Sequence, residues 1–118
     1  MRRKPGALVP LESAILDALV ELRRRGVPEA HGYLIATELR RLGDDRRLTA
    51  YGTLYKALER LEQSGALEGR WEDPDVAATD HRPRRRYYRI TLVGESALAA
   101  NPPLRQAAAQ VQRGAATT

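Results

Sequence analysis

The spacing of apolar residues along this chain changes twice, and that change limits what it can fold into. From Leu8 to Leu61 apolar side chains recur every three or four positions. Over Leu67–Glu72 and Arg86–Ile90 every second residue shares a face, and from Leu92 the longer spacing returns. A period near 3.6 marks a helix buried on one side and a period of 2 marks a half-buried strand. The pattern therefore predicts helices, a β-hairpin, and helices again.

The boundaries follow from local chemistry. A first helix begins near Leu8, carries the stripe Leu11, Ile15, Ala18, Leu19 and Leu22, tolerates Pro10 in its first turn and stops at Gly26 and Pro28. Arg23–Arg25 complement the negative end of its dipole and otherwise read as surface charge. A second helix runs from Glu29 or His31 to Leu42, with Leu34, Ile35, Leu39 and Leu42 on one side and Gly43 after it. Thr49 caps a third helix that extends to Gln63, buries Leu54, Ala57, Leu58 and Leu61, and ends at Gly65. In the first strand Leu67, Gly69 and Trp71 oppose Glu68, Arg70 and Glu72; in the second, Tyr88 and Ile90 oppose Tyr87 and Arg89. Asp73–Arg85 between them reads as a polar loop, longer than a hairpin needs unless the loop has a task. Thr91 caps a helix over Leu92–Ala100, and Asn101-Pro102-Pro103 must break it. An alanine-rich helix over Leu104–Arg113 and a frayed end over Gly114–Thr118 complete the reading.

Three helices, a hairpin and another helix give a mainly α (α+β) fold: a winged helix-turn-helix with a two-stranded β-wing and short C-terminal helices. Residues 1–7 form a flexible basic arm, 8–100 the winged domain, and 101–118 a short helical segment suited to dimerisation. The net charge of +5 comes mostly from arginine, with Lys4 and Lys56 the only lysines. Guanidinium makes forked contacts to phosphate and guanine, so the charge points first to a nucleic acid. Without cysteine there is no disulfide or thiolate metal site, and no apolar run is long enough for a membrane span or a signal peptide. These features fit the cytoplasm, with nucleoid association when DNA is bound. His31 and His81 have no neighbours at metal-ligand spacing, and the chain carries no phosphate-cradling glycine loop or nucleophile elbow. We expect no cofactor, no metal and no enzymatic activity.

Three segments resemble the PadR regulators. His31-Gly32-Tyr33-Leu34-Ile35-Ala36 is similar to the family's opening of the second helix. Gly52-Thr53-Leu54-Tyr55-Lys56-Ala57-Leu58-Glu59-Arg60-Leu61-Glu62, with Gly65, is similar to its recognition helix. Arg85-Arg86-Tyr87-Tyr88-Arg89-Ile90-Thr91, with Gly94 and Leu98, is similar to the end of its wing. The match covers about residues 8–98. The resemblance implies a homodimeric repressor of a palindromic promoter operator in double-stranded DNA, with a small-molecule effector as a further partner of unknown identity. The chain departs from many relatives at Pro102-Pro103, after which only a short segment follows. A drug pocket lined by interface aromatics does not carry over, since Trp71 sits in the wing.

On a helical wheel the recognition helix turns Gly52, Lys56, Glu59 and Gln63 away from its core side. The DNA-reading set is Thr49, Tyr51, Gly52, Thr53, Tyr55, Lys56 and Arg60, with Gly52 permitting close approach to the DNA backbone. The wing contributes Arg82, Arg84, Arg85 and Arg86. Leu8, Leu11 and Ile15 of the first helix, with Leu98, Leu104, Ala108 and Val111, are the candidate dimer interface. Tyr33 is expected to pack against the first and third helices, and Tyr88 and Ile90 to anchor the wing. Glu59 and Glu62 keep open an alternative, a winged-helix module that binds a protein. Another is an effector sensor.

Overall fold

The computed structural model describes residues 7–43 and 51–103. Val9 lies in extended backbone and its N–H donates to the Glu12 carboxylate at 3.0 Å, which launches α1 (Pro10–Arg24). Every residue of α1 from Leu11 to Leu19 is buried, so this helix is the post around which the others pack. Next come the short strand β1 (Ala30–His31), α2 (Gly32–Arg41), α3 (Tyr51–Gln63), β2 (Leu67–Trp71), α4 (Pro74–Thr79), β3 (Arg86–Ile90) and α5 (Leu92–Ala100). Ile15 and Leu16 of α1, Ile35 and Leu39 of α2, and Leu54 and Leu58 of α3 meet in one core at 0 % exposure. Tyr88 and Ile90 enter that core from β3, as expected of the wing's anchor.

Buried charge clasps α1 to its neighbours. Glu38 of α2 is 3 % exposed and receives two N–H donors from Arg25 and two from Arg41, at 2.6–3.0 Å. The two guanidiniums, Arg41 first, hold its pKa down to about 2. Glu12 accepts from Arg60 of α3 at 3.0 Å. These are charge-assisted bonds, and removing a guanidinium would weaken the compensation of a buried carboxylate.

The sheet is antiparallel, with β3 in the middle and the order β1-β3-β2. The expected two-stranded wing thus gains a third strand, because Ala30 and His31 pair with Tyr88 and Tyr87. That pairing ties the start of α2 directly to the wing. The expected loop between β2 and β3 also contains a helix. Asp73 caps α4 by accepting the Asp75 N–H at 2.8 Å, and Ala77 packs inward. His81 closes α4 in the left-handed region (φ 54°), with its own N–H bonded to Ala78 O and that of Arg82 to Ala77 O. This is a Schellman-type ending, which explains the histidine as a backbone element rather than a ligand. Glu72, expected to face outward with Glu68 and Arg70, is instead 6 % exposed, because it closes the base of the wing tip.

Two further expectations are corrected. Tyr33 is 62 % exposed and stacks on His31 rather than packing between α1 and α3. Leu11 and Ile15, read as candidates for the dimer interface, are buried in the protomer's own core, at 9 % and 0 % exposure. The expected basic arm, the Thr49 cap and the terminal helix with Leu104, Ala108 and Val111 lie outside the described residues.

The start of α5 is welded to the end of α3. Gly65 takes φ 84°, which lets the chain reverse after α3. Thr91 donates its hydroxyl to the Gly65 carbonyl at 2.6 Å, accepts from the Gly94 N–H at 3.1 Å, and bonds Ala66 O through its own N–H. A Cβ on Gly94 would collide with the Ala66 carbonyl and sit 2.8 Å from Ile90 Cγ1. Gly94→Ala is therefore expected to destabilise the fold by about 1–3 kcal/mol through overpacking, more than offsetting the helix-propensity gain of alanine. Urea denaturation measures this, and an unchanged or raised midpoint would contradict the packing.

Candidate nucleic-acid interface

The amphipathic pattern of α3 decides what it shows to solvent. Leu54, Ala57, Leu58 and Leu61 face the core, which leaves Tyr51, Gly52, Thr53, Tyr55, Lys56, Glu59 and Arg60 exposed. Gly52 has no atom within 4 Å of where a Cβ would stand, so packing within the protein does not require glycine there. Tyr55 is half-exposed, and its hydroxyl lies 2.7 Å from the Cβ position of Gly32. The ring therefore rests on the first turn of α2, and Gly32 makes room for it. Tyr51 and Tyr55 lie 6.5 Å apart as a tilted pair along the exposed side.

The junction of α2 with the wing is built on His31. Its Nδ1 accepts the Leu34 N–H at 3.3 Å as the N-cap of α2, and its ring meets Tyr87 edge-on at 5.6 Å. Burial first, then the charges of Arg85 and Arg82, push its pKa down. An N-cap acceptor needs the neutral ring, and these causes favour that form.

Glu72 organises the wing tip. It takes both ends of the Arg82 guanidinium, at 2.5 and 2.9 Å, together with the Arg85 N–H and the Tyr87 hydroxyl at 3.3 Å each. Arg82 is the main reason that the Glu72 pKa falls to about 2. Arg86 donates to Glu62 of α3 at 2.6 Å, and Arg70 forms a forked pair with Glu29.

These pairings sort the positive charges. Arg60, Arg82 and Arg86, three of the sequence-predicted DNA ligands, are tied to Glu12, Glu72 and Glu62. Arg84 and Arg85 on the wing, Lys56 on α3 and Arg40 on α2 are exposed and have no carboxylate partner among the described residues. What marks Arg40 is the lack of an acidic partner among the described residues, which only the fold reveals. The described residues contain no cluster of acidic or histidine side chains suited to a metal ion.

The family model of PadR-like transcriptional regulators matches residues 14–100. The chain belongs to the PadR-like family of transcriptional regulators. Its fold recurs in a transcriptional regulator from Clostridium thermocellum, at 25 % identity and a TM-score of 0.61, covering 88 % of this chain and 87 % of that one. A PadR family regulator from Eggerthella lenta matches at 24 % identity and a TM-score of 0.56, over 89 % of this chain and 80 % of that one. Bacillus subtilis PadR, solved with operator DNA, matches at 20 % identity and a TM-score of 0.58; 76 % of this chain aligns with 46 % of that one. No curated protein matches the sequence.

In this PadR-like regulator the wing's rigidity has a pH signature. The folded-state pKa of Glu72 lies below its ordinary value of 4.5, so its contribution is present above that value and is lost as pH falls towards 2. Glu72→Gln should melt at a lower temperature than the parent at neutral pH, and the two melting curves should converge as pH approaches 2. A gap that stays constant across that range would contradict the Glu72–Arg82 account.

Proposed function

We propose that this protein is a homodimeric repressor that binds a palindromic promoter operator in double-stranded DNA. The N-terminal half of α3 enters the major groove, and the wing lies along the adjacent backbone or minor groove. The observation that carries this reading is the set of exposed cations with no acidic partner among the described residues, Lys56, Arg84 and Arg85, on the two elements a winged helix presents to DNA. Thr49, Tyr51, Thr53 and Tyr55 supply hydroxyls for phosphate or base edges, and bare Gly52 admits the DNA backbone. Arg60, Arg82 and Arg86 act within the protein, as ties that hold this surface in shape. The fold shared with a regulator solved on operator DNA supports the same reading. The protein works in the cytoplasm and on the nucleoid, as a regulator rather than an enzyme; among the described residues no helix is long and apolar enough to cross a membrane.

One short helix reads few base pairs, so a two-fold pair is needed for a palindrome. The surface that supports pairing is α5. Leu92 and Val93 are 83 % and 57 % exposed, and Leu98 is only half-buried. A groove of about 620 Å³ runs beside Val93, between Leu8, Leu61 and Ala97. We assign the dimer contact to Leu8, Leu92, Val93 and Leu98, extended by Leu104, Ala108 and Val111. The same groove supports response to a small-molecule effector.

DNA selected from a randomised pool tests the proposal. If a dimer neutralises about 6–10 phosphates, log K should fall against log salt with a slope of several units, and affinity indifferent to salt would sink the reading. Thr53→Ala with Lys56→Ala should weaken specific binding more than non-specific binding, whereas Arg84→Ala with Arg85→Ala should weaken both and flatten the slope. Gly52→Ala separates stability from function. It should leave the folding stability unchanged or raise it slightly, by about 0.5 kcal/mol, and still lower affinity. Unaltered affinity would remove Gly52 from the interface.

A further inference from the structure

We propose that Trp71 is a positioning residue for DNA binding: its indole holds Arg84 of the wing in place, and Arg86, locked to α3, holds the indole. The proposal rests on the DNA-binding reading above and adds a residue that touches no DNA in it. Trp71 is a large aromatic side chain left 56 % exposed, in a strand whose anchoring to the core is done by Leu67. The guanidinium carbons of Arg84 and Arg86 lie over its ring, at 5.4 and 5.2 Å from the centroid. At these distances a guanidinium is attracted to the ring's electron-rich face, and tryptophan is the best such partner.

Two like charges at one ring would repel, and the structure resolves this. Arg86 donates to Glu62 at 2.6 Å, so its charge is balanced from α3. Trp71 faces Arg86 directly across the β2–β3 ladder. Gly69 makes the arrangement possible: a Cβ there would stand 2.8 Å from both the Arg86 Nη2 and the Glu62 Oε1. A continuous series results, from Glu62 on the recognition helix through Arg86 and Trp71 to Arg84 at the wing tip. Arg84 is the one member that keeps an unbalanced charge. A guanidinium ordered before binding loses less rotamer freedom on meeting a phosphate, and its distance from α3 is set in advance.

The test uses the full chain and DNA selected from a randomised pool, with binding followed by anisotropy over a salt series. Trp71→Leu should flatten the slope of log K against log salt by about two units per dimer, one phosphate for each wing, and weaken binding about tenfold at moderate salt. Arg84→Ala should match it, the double variant should lose nothing further, and Trp71→Phe, which keeps a ring face, should retain the parent slope. A parent slope in Trp71→Leu, or additive losses in the double variant, would overturn the proposal. Trp71 is the chain's single tryptophan, so a second readout does not depend on the leucine variant folding. Arg84→Ala should change the indole emission of the free protein, and unchanged emission would overturn the contact. Failure of the DNA reading looks different: the parent protein would bind selected DNA without salt dependence while the emission change persisted.

Discussion

The middle strand of the sheet is the joint on which this molecule depends. β3 pairs with β2 to make the wing and with β1 on its other edge, and β1 runs straight into the first turn of α2. Tyr88 and Ile90 of the same strand enter the core, while Arg86 reaches Glu62 on α3. One strand thus fixes the wing to the core, to the helix-turn-helix and to the recognition helix. A wing joined only through its own hairpin would bend freely, since a two-stranded ribbon is marginal by itself. Here its angle to α3 is a property of the fold.

Charge pairing explains why a basic protein has so selective a basic surface. Among the described residues most arginines face a carboxylate; Arg25 and Arg41 share Glu38, Arg60 meets Glu12, Arg70 meets Glu29, Arg82 meets Glu72 and Arg86 meets Glu62. Buried acids of this kind hold helices and strands in register, because an unpaired partner would be costly. They also balance those guanidinium charges within the protein. The described cations left on α3 and the wing are few and confined to two elements joined by the sheet, which suits recognition of a defined groove geometry better than general attraction to polyanions.

Much of this architecture was legible in the residues. Repeating apolar stripes located α1, α2 and α3, alternation located β2 and β3, and the Thr91 cap and Asn101-Pro102 bracketed α5. β1 was not legible, because two residues cannot display a period and their pairing partner lies far along the chain. The helix in the wing was hidden by polar composition, although the Asp73 and Pro74 that open it are a recognisable start signal. At the interface, residue types and spacing found the exposed face of α3 and the arginine-rich wing. They could not tell a guanidinium bound to an internal acid from one open to solvent, since Arg82 and Arg84 look alike in sequence and differ only in what the fold sets beside them. The exposure of Tyr33 was missed for the same reason: a helical stripe shows which residues share a side, not how wide the buried side is.

In the proposed complex α3 and the wing of each protomer meet DNA as one unit, twice, across a two-fold axis. Hydroxyl-radical footprinting on DNA selected by the protein tests this most directly. The account predicts two equivalent sets of protection on one face of the duplex, centred about 10 base pairs apart or a multiple of that spacing, each with a major-groove centre and a flank protected by the wing. A single patch, or protection spread evenly along the duplex, would contradict it.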